Sequence, residues 1–203
     1  AVGAGYTTAI TGDHATGYIV TNSRTPELIS VSGAKTWNDA DNQDGKRPTS
    51  ITIRLFNGTS EVGTRTVTAA DGWAWSFTEL PKFEAGTEIT YTITEDAVEG
   101  YTTEVSGHNI TNSYTPGQTS VGVTKSWQDA NNQDGKRPQS VTIKLLADGT
   151  DTGKTLVLTQ TNNWTGTFAD LDEYKAGNLI VYTVVEETVG AGYTTAITGD
   201  HAT

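Results

Sequence analysis

The sequence predicts an all-β fold made of two tandem β-sandwiches, on the basis of its composition, the spacing of its strand signals and an internal repeat. Thr, Val, Ile and Tyr recur throughout the 203 residues, and β-branched and aromatic residues of this kind favour strands. No long stretch shows the apolar spacing that is typical of a helix. Strand signals instead recur roughly every 8–12 residues, a spacing that is typical of a sandwich.

The repeat has an offset of 90 residues. The sequence KTWNDADNQDGKRP at 35–48 returns as KSWQDANNQDGKRP at 125–138, and SITIRL at 50–55 returns as SVTIKL at 140–145. Farther along, YTITE is matched by YTVVE, and EGYTTEVSG by AGYTTAITG. Two copies of one supersecondary unit are therefore expected.

A second repeat sets the frame of these units. Residues 2–16 recur letter for letter as 189–203, and the first copy continues into GYIVTNSRTP at 17–26. The matching continuation in the middle of the chain is NITNSYTP at 109–116. Three segments follow: the C-terminal strands of a preceding or partner repeat at 1–30, a complete domain at 31–116, and a second domain lacking its last strand at 117–203.

The complete domain should contain seven strands. Alternating polar and apolar residues at 50–56 indicate a strand with one buried face and one solvated face. Glycines at 58, 72 and 86 mark turns. The predicted strands lie near 31–37, 50–56, 62–69, 73–79, 87–95, 100–106 and 109–115.

Charge and residue usage exclude several classes of function. The chain has 13 basic and 24 acidic residues, a net charge of -11, and its Lys and Arg residues are not clustered. Nucleic acid is therefore not expected as a partner. Because there is no Cys, thiol nucleophiles, disulfides and Cys-based metal sites are excluded. No segment has the pattern of a signal peptide or a membrane span, so membrane insertion is not expected.

Three positions of the complete domain combine into a candidate reactive set. Lys35 lies on the first strand, Glu95 ends YTITE, and Asn112 lies in NITNSYTP on the last strand. The second domain repeats the first two as Lys125 and Glu186 but has no matching Asn. The other Asn in the same sequence setting is found near the amino terminus, at Asn22 in YIVTNSRTP.

The motifs K-x-W, Y-T-x-x-E and [IV]-T-N-S-x-T-P, in this order, resemble those of the B-type domains of Gram-positive collagen adhesins and pilins (Cna B-type domains). The second domain has the fuller opening V-T-K-S-W, whereas the first has Gly-Ala before its lysine. The resemblance implies an immunoglobulin-like fold and an extracellular stalk or spacer in a cell-wall-anchored parent protein. It also implies an isopeptide bond between Lys35 and Asn112 assisted by Glu95, and equivalent roles for Lys125 and Glu186 opposite an Asn such as Asn22.

Elementary chemistry makes such a bond plausible without a cofactor. A lysine must lose its proton to act as a nucleophile, and desolvation favours its neutral form. Desolvation also favours the neutral form of a carboxylic acid, which can then donate to the Asn carbonyl and carry a proton to the departing ammonia. The bond forms once per domain, so the chain is not expected to be a turnover enzyme.

Alternatives exist for each residue of the set. Asn109 competes with Asn112, while Asp96 and Glu187 neighbour the two candidate acids. Because neighbours on a strand point to opposite faces, only one acid of each pair can be buried, and alignment of the repeats favours Glu95 and Glu186. Asn112 aligns better than Asn109 with the VTN sequence at 20–22.

Several other polar and aromatic residues are expected to have structural roles. The run at 39–45 faintly resembles a calcium loop but lacks its terminal Glu and flanking helices, so a turn rich in Asp and Asn is favoured. The histidines are too sparse to indicate a metal site: His14, His108 and His201. The remaining tryptophans are expected in the core or at its rim: Trp73, Trp75 and Trp164.

Two kinds of partner are expected. Neighbouring repeat units are the first, and a domain without its last strand exposes a sheet edge that residues 1–26 of another copy could fill, giving head-to-tail association. An alternative function is direct binding of a host matrix protein or glycan, although other domains of a longer parent protein could equally carry that ligand.

Overall fold

The computed structural model describes residues 3–187, 189–190 and 192–199. His201 and the end of the repeated segment 189–203 lie outside these residues. The chain divides into two compact units. Unit one comprises Ala1–Asn38 and Pro48–Ser113, and unit two comprises Asp39–Arg47 and Tyr114–Thr203.

A separate β-hairpin begins unit one. Strand β1 (Thr7–Asp13) pairs antiparallel with β2 (Gly17–Ser23), and every residue of both strands is exposed. The Asp13 carboxylate accepts hydrogen bonds from the backbone N–H groups of Ala15 and Thr16, and these bonds close the turn.

The rest of unit one is a sandwich of two sheets. One sheet has the order β10-β11-β3-β6 and the other has the order β5-β4-β9. The first and last strands of the sandwich, β3 and β11, lie side by side and run parallel. The strands are β3 (Leu28–Asn38), β4 (Ser50–Asn57), β5 (Ser60–Thr68), β6 (Ala74–Pro81), β7 (Phe83–Glu84), β8 (Thr87–Glu88), β9 (Tyr91–Glu95), β10 (Thr102–Ser106) and β11 (Asn109–Ser113).

Alternation along the strands builds the core of unit one. On β4 the residues at 51, 53 and 55 are buried while their neighbours are partly exposed, as expected for a strand that buries one face. Ile53 and Leu55 are fully buried, and Ile110 of β11 packs into the same cluster.

Unit two repeats most of this architecture. Strands β14, β13 and β18 form one sheet, and β12 pairs with β15. Leu145 and Leu158 are fully buried in its core. Residues 192–199 form no strand, so among the described residues nothing takes the place beside β12 that β11 takes beside β3. The strands are β12 (Gln118–Thr124), β13 (Ser140–Ala147), β14 (Thr150–Thr159), β15 (Thr165–Asp172), β16 (Tyr174–Lys175), β17 (Asn178–Leu179) and β18 (Tyr182–Glu186).

The all-β prediction is confirmed. Within the described ranges the only helical elements are two three-residue 3-10 turns, Ala69–Asp71 and Gln160–Asn162. None of the described residues forms a helix with the length and apolarity that crossing a membrane requires. The strand predicted at 87–95 is divided in two, because the N–H of Ile89 donates to the carbonyl of Lys82 and keeps β8 in a small hairpin with β7.

Candidate functional site

The site in unit one is built around a buried lysine on β3. The side chains of Lys35 and Glu95 are both 0% exposed, and Lys35 Nζ donates to Glu95 Oε1 at 2.6 Å. Nζ also lies 4.7 Å from the centre of the Trp37 ring. Trp73 and Tyr101 pack edge-on against Trp37, with ring centres 5.1 and 5.2 Å away. These aromatic rings help to exclude water from the lysine.

Burial changes the acid–base chemistry of this lysine. Desolvation lowers the pKa of Lys35 below the ordinary value of 10.5, and the hydrogen bond and charge of Glu95 oppose that shift. The net direction is downward, so the neutral amine is more accessible here than on a solvated lysine. A buried ion pair also costs desolvation energy that its mutual attraction only partly returns. The pair is therefore better explained by chemistry than by stability.

The third member of the cluster is Asn112, whose burial is unusual. The residue is 0% exposed, yet neither its Oδ1 nor its Nδ2 has a hydrogen-bond partner. Leaving a buried amide group unsatisfied costs about 1–3 kcal/mol. Such a group in a folded protein requires an explanation.

The register of β3 and β11 places Asn112 near the lysine. Lys35 pairs with Ile110, and Asn112 pairs with Trp37. Because side chains two positions apart point to the same face of a sheet, Lys35 and Asn112 share the buried face and are diagonal neighbours. The structure thus brings the three predicted residues of unit one into one buried cluster.

The competing residues lie outside this cluster. Asn109 is exposed, and its Oδ1 accepts a hydrogen bond from the backbone N–H of Ala34 at 3.0 Å. Asp96 is also exposed and binds the guanidinium of Arg54 at 2.6 Å. Both side chains have surface roles, and the geometry favours Asn112 and Glu95 for a buried reaction.

Unit two contains the same pair of charged side chains. Lys125 Nζ lies 2.8 Å from Oε1 and 3.0 Å from Oε2 of Glu186, with the side chains 15% and 3% exposed. Nζ lies 4.7 Å from the centre of the Trp127 ring, which repeats the arrangement in unit one. The neighbouring acid, Glu187, pairs with Lys144 at 2.9 Å on the surface.

Among the described residues of unit two, no strand brings an asparagine to the lysine as β11 does in unit one, and the Oδ1 atom of Asn132, which also lines the adjacent groove, accepts from the backbone N–H of Arg137. An open groove of about 900 Å³ lies beside Lys125, bordered by Trp127 and Tyr193. Asn22, predicted as the asparagine of this site, lies on the exposed hairpin, where its Oδ1 accepts a hydrogen bond from Thr8 at 2.8 Å. It belongs to neither lysine cluster.

The loop that resembles a calcium site is held by an ion pair. The carboxylate of Asp39 binds Arg47 at 2.7 and 3.0 Å. Asp129 and Arg137 repeat the contact 90 residues later, where the guanidinium holds the pKa of the Asp129 carboxyl well below its usual range. In the described part of the chain, no group of three or more His, Asp or Glu side chains could hold a metal ion. The turn interpretation therefore fits the contacts.

The sequence reasoning missed one pair of contacts to the acids. Thr103 Oγ1 donates to Glu95 Oε2 at 3.2 Å, and Thr195 Oγ1 donates to Glu186 Oε2 at 2.5 Å. A signal was present, since the tetrapeptide GYTT occurs three times in the chain, ending at residues 8, 103 and 195.

Two sandwiches in tandem, each burying a lysine–glutamate pair against a tryptophan, define a class of immunoglobulin-like repeat module. The sequence profile of the Cna protein B-type domain matches residues 31–113 and 121–203. The chain belongs to the Cna B-type domain family.

Comparison with individual proteins agrees with this assignment. The chain is 49% identical over 193 residues to a collagen adhesin of Staphylococcus aureus, covering 95% of the chain but 16% of that protein. It is 47% identical to the crystal structure of two B repeat units of the collagen-binding protein of S. aureus, with a TM-score of 0.54, covering 98% of this chain and 53% of that one. A single B repeat unit of the same protein is 48% identical, with a TM-score of 0.43, covering 86% of this chain and 94% of that one. The similarity to the structure of two B repeat units confirms the immunoglobulin-like tandem fold.

Proposed function

We propose that this chain is a structural spacer of a cell-surface adhesin, made rigid by an isopeptide bond that forms between Lys35 and Asn112. The observation that carries the proposal is the fully buried carboxamide of Asn112, which has no hydrogen-bond partner and shares a sheet face with a buried lysine. A reaction that consumes this carboxamide removes the energetic penalty of leaving it unsatisfied.

The reaction needs only groups of the chain. The neutral amine of Lys35 attacks Cγ of Asn112, and a carbon–nitrogen bond forms. Glu95, in its protonated form, donates a hydrogen bond to Oδ1 as the tetrahedral intermediate develops, passes its proton to Nδ2, and takes up the proton that Nζ loses. The bond from Cγ to Nδ2 breaks, ammonia leaves, and an amide remains.

Folding supplies the positioning. Lys35 and Asn112 belong to strands that are adjacent only in the folded sandwich, so the two groups meet when the sheet closes. Fixing two reactants in this way can remove roughly 7–11 kcal/mol from a barrier. The site has no route to turnover, since its product is part of the chain.

The family and its relatives support a wider role. The relative that is 49% identical is a collagen adhesin, which supports an extracellular location and a cell-wall-anchored parent. The chain covers 16% of the collagen adhesin, so binding of a host matrix ligand is assigned to other domains of a longer protein. The repeated module adds length, and neighbouring repeat units are its first partners.

Intact mass under denaturing conditions tests the bond in unit one. The wild-type chain should lack one ammonia, whereas the Lys35→Ala and Asn112→Ala variants should each have the full mass. Lys125→Ala is the matched control, because it removes the equivalent lysine of unit two and should leave the ammonia loss unchanged. A wild-type chain with full mass would overturn the proposal.

A second proposal concerns association between copies of the chain. The β1–β2 hairpin is a separate replica of β10–β11: Thr8 pairs with Asn22 as Thr103 pairs with Asn112. Val20, which is 59% exposed, holds the position of Ile110, which is 1% exposed in the core of unit one. We infer that β2 of one copy pairs with the open edge of β12 in another, which would bring Asn22 to the groove beside the lysine of unit two.

Concentration dependence tests this association. Concentrated protein should form denaturant-resistant oligomers, each link losing one further ammonia, and Asn22→Ala should prevent them. Asn57→Ala, at the C-terminal end of β4 and outside the hairpin, is the matched control and should oligomerise as wild type does. A chain that stays monomeric at high concentration, with Lys125 unmodified, would contradict head-to-tail linkage.

A further inference from the structure

One threonine recurs at the same place in all three GYTT segments. Thr8 lies on β1, Thr103 lies on β10, and Thr195 lies in the segment 192–199 of unit two. In the two paired segments this threonine is directly opposite an asparagine: Thr8 is opposite Asn22, and Thr103 is opposite Asn112. The three copies therefore show the same threonine in three different surroundings.

In the isolated hairpin, the threonine holds the asparagine. Thr8 Oγ1 donates to Asn22 Oδ1 at 2.8 Å, and both residues are exposed. The carbonyl oxygen that an acid would have to polarise is thus already occupied by a neutral hydroxyl donor.

In the complete domain, the threonine holds the acid instead. Thr103 Oγ1 donates to Glu95 Oε2 at 3.2 Å, while Lys35 donates to the other oxygen, Oε1. Asn112, although directly opposite Thr103, has no partner at either side-chain polar atom. The carboxyl group is fixed at both oxygens, and the carboxamide is left available.

Unit two shows that the acid contact does not require the asparagine. Thr195 donates to Glu186 Oε2, although no strand among the described residues of unit two brings an asparagine to the lysine. The contact between this threonine and the acid therefore forms without a paired strand and without the asparagine.

We propose that Thr103 is a positioning residue for the isopeptide reaction, and that Thr195 has the same role in unit two. When the hairpin enters the sandwich, the threonine hydroxyl stops donating to the asparagine carbonyl and donates to the glutamate carboxyl group instead. That exchange orients the carboxyl group and releases the asparagine carbonyl in one step. This inference rests on the proposed function of the cluster.

The rate of bond formation tests the role of the threonine. Cell-free synthesis of the full chain is stopped, samples are quenched in acidic denaturant over time, and the fraction lacking ammonia is measured by mass. Thr103→Val keeps the β-branched shape and removes the hydroxyl, so it should slow bond formation by about tenfold, the effect of losing one hydrogen bond to an ionisable group. Thr103→Ser retains the hydroxyl and should restore most of the rate.

Thr102→Val is the matched control. Thr102 neighbours Thr103 on β10, is exposed, and donates to the carbonyl of Ser113 at 3.3 Å, away from the acid. The Thr102→Val chain should form the isopeptide bond at the wild-type rate. A separate control compares the thermal unfolding of Asn112→Ala proteins with and without Thr103→Val, which should show that the threonine substitution leaves folding intact.

Three results would overturn the inference. A Thr103→Val chain that closes at the wild-type rate removes the role of the hydroxyl while leaving the isopeptide bond intact. If Thr102→Val slows bond formation as much as Thr103→Val does, or if Thr103→Ser does not restore the rate, the effect comes from the structure of the strand and not from the hydroxyl. A wild-type chain that never loses ammonia removes the proposed function together with the inference.

Discussion

Units one and two contain nearly the same buried lysine–glutamate pair, but they differ in what lies next to it. In unit one, β11 brings a buried asparagine to the pair, and the lysine and acid side chains are 0% exposed. In unit two the equivalent place is a groove, and the lysine side chain is 15% exposed.

This difference separates two functions of the last strand. The lysine–acid contact forms without it, so the pair is a property of the sandwich core. The strand adds the carboxamide and completes the exclusion of water. Unit two thus contains the lysine and the acid of the site, whereas unit one contains the lysine, the acid and the asparagine.

The largest expected effect concerns stability. A bond between residues 35 and 112 closes a loop of 78 residues, and by analogy with a disulfide it should stabilise unit one by about 4.5 kcal/mol. Asn112→Ala should lower the denaturant midpoint of unit one accordingly, as followed by tryptophan fluorescence. Lys125→Ala should change unit two far less. Similar midpoints for the wild type and Asn112→Ala would show that no covalent tie exists.

The next effect concerns the acids. Glu95→Gln cannot carry a proton to the departing ammonia, so bond formation in unit one should slow by about 100-fold or more. The time course of ammonia loss in freshly synthesised protein measures this rate. The matched Glu186→Gln change should leave that time course unaltered. Equal rates for Glu95→Gln and the wild type would remove the acid from the mechanism.

A smaller effect tests the close approach behind the site. A Cβ atom on Gly33 would lie 1.6 Å from the carbonyl oxygen of His108, at the turn between β10 and β11. Gly33→Ala must therefore displace that hairpin, and it should destabilise unit one by about 1–3 kcal/mol. Thermal unfolding measures the loss. The equivalent residue of unit two is Val123, which already has a Cβ atom, so Val123→Ala adds no new contact and should have a weaker effect.

The smallest expected effect is the pH dependence of isopeptide bond formation. Because desolvation lowers the pKa of Lys35, the neutral amine becomes available at lower pH than for a solvated lysine. The rate of ammonia loss should rise with pH and reach its plateau below pH 10.5, the ordinary lysine value. A rate that is independent of pH, or that rises only around 10.5, would contradict this account.

Much of the fold could be predicted from the sequence because its signals are local. Alternation along 50–56 predicted β4. The opposite facing of neighbours implied that only one acid of each pair is buried, and the alignment of the repeats selected Glu95, which is buried while Asp96 is exposed. The repeat offset identified Lys125 and Glu186 as the second pair, which the structure brings together.

Other features depended on contacts between distant segments. The Gly-Ala sequence before Lys35 departs from the family pattern, and its cause is the approach of His108, 75 residues away. The contact of Thr103 with Glu95 joins strands of different sheets, so no periodicity could reveal it. The division of the strand at 87–95 likewise depends on a single backbone hydrogen bond to Lys82.

The parallel pairing of β3 and β11 has a mechanical consequence. When tension pulls the two ends of the sandwich apart, the four residue pairs of this ladder are loaded together in shear, since the strands point the same way. A bond from Lys35 to Asn112 would then transmit the tension directly from β3 to β11. The 76 residues from 36 to 111, roughly 250 Å of extended chain, would remain folded and slack under a pull that stretches the rest of the stalk.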